Sequence, residues 1–306
     1  MPQRPAQFAK NKMPKAYIRT CSRSLAEPCR SPRSLIGTSG YTYDHWFGVF
    51  YPEDLPKNKW LEYYNKFFDT VELNVTFYRL PLDSVFKNWF KRTSDKFLFT
   101  VKGSRFITHI KKLKDPKEPL ELFLKRTKNL QEKLGMVLWQ LPPQFGIESE
   151  LRNLKLKTKN EKRQLKIKKL IEFCELLKKL SPKKVRHAFE FRHESWFCEE
   201  IYEILKKYNM ALVICDYPFQ LAISEQRSAI RDRKQIVIPE TADFIYLRRH
   251  GATALYASNY SDEQLKQDAE QIKKWLKSGK DVYVYFNNDA RAYAVKNALK
   301  LKELLK

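Results

Sequence analysis

Polar side chains close one apolar run after another in this chain, and they are of the types that bind anions and move protons. Glu190 and Arg192 alternate in AFEFRHESW, Arg248 and His250 in FIYLRRHG, and Glu72 and Asn74 in TVELN, with Tyr78 shortly beyond. Lys102 ends FLFTVK, Gln140 ends MVLWQ, Asp216 ends MALVICD, and Asn287 and Asn288 end VYVYFNN. Guanidinium and ammonium groups bind phosphate or carboxylate, arginine in bidentate fashion, and a carboxylate beside them can serve as general acid or base. Gathered in one place, these residues would take a small anionic ligand bearing a phosphate or a sugar. Glu190 would be the acid or base, with Glu72 or Asp216 as its partner. The plainer alternative is that Glu190 and Arg192 simply pair with each other.

Strand ends that meet on one face of a barrel would do the gathering. Eight short apolar or β-branched runs, at 35–39, 70–74, 97–102, 136–140, 186–191, 210–216, 244–249 and 282–288, alternate with longer amphipathic stretches. That is the pattern of parallel strands separated by crossover helices, and with a typical barrel length of about 250 residues it predicts a single (β/α)8 TIM barrel over residues 35–306. Among the helical stretches, Leu265, Ala269, Ile272 and Leu276 share a face, Ser261 and Gln264 form a capping box, and Gly279 stands where a C-terminal cap belongs. Ile167, Ile171, Cys174 and Leu177 share another face, on a helix that stops at Pro182.

Strand side chains alternate between barrel interior and helix layer. The interior series are then Thr70, Glu72, Asn74; Leu98, Thr100, Lys102; Met136, Leu138, Gln140; Arg186, Ala188, Glu190, Arg192; Leu212, Ile214, Asp216; and Phe244, Tyr246, Arg248, His250. Each ends in a polar group at the C-terminal end of its strand, the end at which barrel enzymes carry their sites. Tyr41, Tyr43, Trp46, Tyr78, Trp196, Tyr256 and Tyr260 fall in the following loops, where large rings either fill gaps or stack on a base or sugar. Trp196 has the strongest claim to the second role.

The net charge of +24, from 59 basic against 35 acidic residues, suits polyanionic partners. A nucleic-acid-binding or endonuclease-like protein is therefore a second reading, and a non-catalytic barrel that binds an anion or a protein a third; lysines scattered over a solvated surface give the same charge. Five histidines are too few for a multinuclear zinc site. A single divalent metal on Glu72, Glu190, Asp216 and His250 is the metal option that remains. No other cofactor is expected, since GTSG lacks the lysine and spacing of a P-loop, no GxGxxG follows a strand, and there is no GxSxG elbow. The five cysteines form no CxxC pair, which points to a reducing, cytoplasmic compartment, with Cys198 and Cys215 as structural residues. No apolar run approaches the roughly 20 residues that span a bilayer. Residues 1–34, in which Glu27 is the sole acid, stand apart as a basic extension or an organelle-targeting leader.

The strings IGTSGYTYDHWFGVFYP, FFDTVELNVTFYRLP, GMVLWQLPPQF, AFEFRHESW, FIYLRRHG and VYVYFNNDARAYAVKNA resemble the successive motifs of the YecE-like family, domain-of-unknown-function family 72, in unbroken order from about Leu35 to the C-terminus. The resemblance implies a (β/α)8 barrel in the broad neighbourhood of endonuclease IV and xylose isomerase. It implies pocket positions at Glu72, Asn74, Tyr78, Lys102, Gln140, Glu190, Arg192, Trp196, Asp216, Arg248, His250, Asn287 and Asn288. It carries no established activity, and likeness of fold alone does not supply one.

Overall fold

The computed structural model describes residues 31–148, 158–216, 238–252 and 254–306. Most of the expected leader and residues 149–157, in the long connection between the fourth and fifth runs, lie outside the described residues. The apolar runs form strands β1 (Ser34–Thr38), β2 (Thr70–Leu73), β3 (Leu98–Lys102), β4 (Leu134–Gln140), β5 (Arg186–Glu190), β6 (Ala211–Leu212), β7 (Ile214–Cys215), β8 (Phe244–Arg249) and β9 (Asp281–Phe286). Every pairing between them is parallel. One sheet runs β1-β9-β8-β7 and the other β2-β3-β4-β5-β6.

The two sheets meet at two seams. At one, Ser39 bridges to Glu72, bringing β1 beside β2. At the other, a single expected strand is shared: Ala211 and Leu212 pair with β5, and Ile214 and Cys215 with β8. Val213 stands between them and donates its N–H to Phe189 O at 2.9 Å. The order of strands around the molecule is that of a (β/α)8 barrel, with the sixth position split into β6 and β7.

Helices cover the outside because the connections alternate apolar and charged faces. They include α1 (Trp60–Phe67), α2 (Val75–Tyr78), α3 (Asp83–Lys91), α4 (Lys117–Thr127), α5 (Lys159–Leu180), α6 (Glu199–Lys207), α7 (Asp262–Lys277) and α8 (Tyr293–Leu304). On α7 the expected capping box forms, Ser261 accepting from Gln264 N while the Gln264 side chain accepts from Ser261 N; Leu265, Ala269 and Ile272 are buried. Gly279 follows at φ +86°, the left-handed conformation that glycine adopts without steric cost. Helix α5 buries Ile167, Cys174 and Leu177 as expected and ends before Pro182.

Inside the strands lies a separate apolar cluster that includes Leu35, Met136, Leu138, Ala188, Tyr246 and Tyr285. The Tyr285 hydroxyl bonds Thr70 Oγ1 at 2.6 Å and Thr100 Oγ1 at 2.7 Å, so the polar atoms of this core satisfy one another. The alternation expected for β2 to β5 and β8 is the one found. For the sixth position it is reversed, because Ala211, Val213 and Cys215 belong to the interior cluster and Leu212 to the helix-side core. MALVIC is apolar at every position, as a parallel strand covered on both faces must be, so it carries no period from which to read inside and outside.

Candidate active site

Four strands bring their ends together around Arg248, which is 1% exposed. Its Nη2 lies 2.6 Å from Glu72 Oε1 and 3.1 Å from Ser39 Oγ, and its Nη1 lies 2.6 Å from Glu190 Oε2. The guanidinium thus sits between carboxylates from opposite parts of the barrel. Both carboxylates are fully buried. Glu72 also accepts from the Ser39 and Tyr246 hydroxyls, while the other oxygen of Glu190 pairs with Arg192 Nε. Burial alone would raise the Glu190 carboxyl, but Arg192 and Arg248 outweigh it and hold it well below the usual carboxylate range. Burial by itself would lower the Arg248 guanidinium; Glu190 and Glu72 reverse that and raise it.

His250 stands next in this chain of contacts. Its Nε2 is 3.2 Å from Arg192 Nη2 and its Nδ1 is 3.1 Å from the Asn287 side-chain amide. Burial, then the charge of Arg248, pushes the imidazole well below its ordinary value, so the ring is neutral. A guanidinium only donates, so Nε2 accepts and the ring proton sits on Nδ1. Asn287 Nδ2 stands at that contact, so a 180° turn of the amide is what would present its oxygen to the ring proton. Tyr256, 45% exposed, covers the ring edge-on at 5.4 Å.

Lys102 differs from the two arginines. Its ammonium lies 4.4 Å over the Phe77 ring and, among the described residues, has no carboxylate within ion-pairing distance. Burial, then the charge of Arg248, brings it down to about 8. Asn74 donates to Ser39 Oγ at 2.9 Å and Ser39 O at 3.2 Å, which fixes its amide orientation, and its Oδ1 is buried with no partner among the described residues. Gln140, half-buried, sits beside Glu190 in register. Tyr78 is 75% exposed at the end of α2.

Three expected site residues lie elsewhere or have other duties. Trp196 is fully buried, stacked on Phe191 with centroids 4.9 Å apart and its indole N–H on Phe145 O, so it belongs to the core and offers no face to a ligand. Asn288 is also fully buried, donating to Ser258 O and Asn297 Oδ1 at 2.9 and 2.8 Å. Asp216 accepts from the His250 backbone N–H at 2.7 Å and from the Tyr260 hydroxyl, fastening two loops. Of the other loop aromatics, Trp46 and Tyr260 are buried as packing.

The metal set read from sequence does not assemble either, since Arg248 lies between Glu72 and Glu190 and Asp216 is bound to backbone. Among the described residues, the groups close enough to share a cation are Glu190, His250 and Cys215, whose ligand atoms lie within 4.8 Å of one another. Arg192 already bonds two of the three, so an ion there would have to displace it. Sequence reasoning missed Ser39, Tyr246 and Cys215. Ser39 carried no signal, being a single hydroxyl at the end of an apolar run; Tyr246 fell on the inward face of its strand but was given no role in the site, and Cys215 was hidden by the reversed sixth strand.

Comparison with known proteins agrees with this architecture. A family model described as a protein of unknown function, DUF72, matches residues 35–306. The protein YunF of Bacillus subtilis is 25% identical over 293 residues, covering 88% of this chain and 94% of that protein. YecE of Escherichia coli is 36% identical over 86 residues, 28% of this chain and 32% of YecE. The crystal structure of a DUF72 family protein from Thermotoga maritima superposes with a TM-score of 0.68 at 32% identity, covering 89% of this chain and 99% of that one. A second, from Enterococcus faecalis, gives 0.64 at 19% identity over 91% and 99%, a likeness of fold. The chain, from Leu35 to its end, belongs to the DUF72 family.

Proposed function

We propose that this mouth is the active site of an enzyme acting on a small hydroxylated anion, a sugar phosphate or a hydroxy acid. One observation carries the reading: both buried arginines are already ion-paired with Glu72 and Glu190, whereas the Lys102 ammonium faces the same mouth with, among the described residues, no carboxylate within ion-pairing distance. Asn74 Oδ1 adds a buried acceptor that a ligand hydroxyl would complete. Lys102 binds the anionic group and, when deprotonated, is the base. Its position near 8 suits proton transfer around neutral pH. Glu190, shared by two guanidiniums, holds Arg192 and Arg248 in place and is no proton donor near neutral pH.

The test pairs titration with ligand binding. Trace acetylation of the folded protein, read at Lys102 by peptide mass spectrometry, should show a midpoint near pH 8, against about 10.4 for exposed lysines. In thermal-shift titrations with a panel of sugar phosphates and hydroxy acids, Lys102→Met should weaken binding tenfold or more. The variant should still fold. A depressed lysine pKa means that the ammonium opposes folding, fully below pH 8 and progressively less as pH rises towards 10.4, so Lys102→Met should be more stable at pH 7 by up to about 3 kcal/mol. A Lys102 midpoint near 10.4, or ligands that bind wild type and variant alike, would overturn the assignment.

A further inference from the structure

Away from the mouth, on the outer wall, a groove of about 370 Å3 runs between α3 and α4, lined by Lys87, Lys91, Lys125, Lys128, Asn129 and Gln131 beside the ring of Phe90. Among the described residues, no carboxylate lines it. All four lysines are exposed, and none has an ion-pair partner among the described residues. The C-terminal turns of α3 and α4 place Lys91 and Lys125 there, where the negative ends of the helix dipoles favour cations. Helix dipoles account for lysines at these ends but not for a groove between them with every acid left out.

The groove is also preformed. Lys133, 2% exposed, donates to Phe90 O and Thr93 O, both at 2.7 Å, and so ties the end of α3 to the entry of β4 beneath it. At the rim, Gln131 is held at φ 50°, ψ −126°, a conformation that side-chain-bearing residues rarely adopt and that surrounding structure must enforce.

We infer that this groove is a binding site for a phosphodiester chain, the backbone of single-stranded nucleic acid. Ammonium groups act on phosphates as point charges without requiring bidentate geometry, and lysines on both walls neutralise successive phosphates of a strand passing between them. A duplex, with its much larger cross-section, meets only the rim. Amide side chains from Asn129 and Gln131 supply donors to phosphate or sugar oxygens, contacts that position a strand without reading its sequence. The site is separate from the mouth and does not depend on Lys102 chemistry.

The experiment is fluorescence anisotropy of a labelled single-stranded oligothymidylate with the full chain, across a salt series. It compares wild type with Lys87→Gln/Lys91→Gln/Lys125→Gln/Lys128→Gln and with a control carrying the same charge loss on α7, Lys266→Gln/Lys273→Gln/Lys274→Gln/Lys277→Gln, all of them exposed. Four lost phosphate contacts should flatten the slope of log K against log salt by about 3, at roughly 0.7 per contact. The groove variant should bind at least tenfold more weakly at physiological salt, and the control should stay within threefold of wild type. Equal losses in the two variants would reduce binding to diffuse charge and overturn the site. So would an unchanged groove variant, or displacement of the oligonucleotide by polyglutamate at lower concentration than by unlabelled oligonucleotide, which would make the groove a surface for an acidic protein.

Discussion

Arg248 concentrates the energetics of the mouth at one residue. Its guanidinium neutralises two buried carboxylates that would otherwise face each other across the barrel, and removing one partner of a buried ionic cluster typically costs about 3–5 kcal/mol because it strands the others. Arg248→Met keeps much of the side-chain volume, so a cavity is not the main effect. It should lower unfolding stability by that amount in urea titrations at pH 7, and adding Glu72→Gln, which removes the carboxylate left without a cation while Glu190 keeps Arg192, should recover part of the loss. A single variant within about 1 kcal/mol of wild type would mean that the cluster does not anchor the strand ends. The sequence allowed these residues to be placed on inward faces, since Glu190 and Arg192, like Arg248 and His250, alternate along their strands. It did not disclose their pairing. Arg248 reaches Glu190 across 58 residues and Glu72 across 176, and distances of that kind are set by how the sheets curl, which no local pattern encodes.

Elements succeed or fail as positioning devices through their packing at the strand ends. Strand β3 delivers Lys102 to the mouth, and the next residue, Gly103, is where Trp139 of β4 crosses over: a Cβ on Gly103 would lie 2.2 Å from Trp139 Cε3. Trp139 is fully buried and donates to His187 Nδ1 at 3.1 Å, so it has little room to retreat. Gly103→Ala should therefore cost about 1–3 kcal/mol through overpacking, seen as a lower denaturation midpoint. It should also move the Lys102 titration, because β3 and β4 must part to admit the methyl group; loss of stability with the Lys102 midpoint unchanged would separate the two. The strands themselves were legible from composition, down to the bounds Phe244–Arg249 for β8. The sixth was not. Where every side chain is apolar, alternation vanishes and the inward residue has to be found from contacts, which is how Cys215 comes to lie by the His250 ring while Asp216 holds the His250 backbone. Trp196 misled for a related reason, since a large aromatic following a charged motif looks the same in sequence whether it faces a ligand or, as here, caps the packing of Phe191 and Phe145.

At the scale of the whole molecule, the charge of +24 acts on the folded state as well as on partners. Like charges confined to a compact body repel more than they do on an expanded chain, so an excess of this size opposes folding until salt screens it. Exposed ion pairs such as Lys57–Asp44 and Lys206–Glu203 work the other way, but each contributes at most about 1 kcal/mol and weakens in the same salt. The Arg248 cluster is buried and is hardly touched by screening. Repulsion should win the comparison. Between 0.01 and 0.3 M NaCl, over which the screening length falls from about 30 Å to well under 10 Å, the melting temperature should rise. A relief of about 1–2 kcal/mol corresponds to roughly 1.5–3 °C for a chain of this size. A melting temperature that falls with salt would show instead that surface pairs organise the charge. In that case lysines with no carboxylate beside them, as in the α3–α4 groove, would be exceptions on a paired surface rather than samples of a general excess, which would strengthen the case for a ligand there.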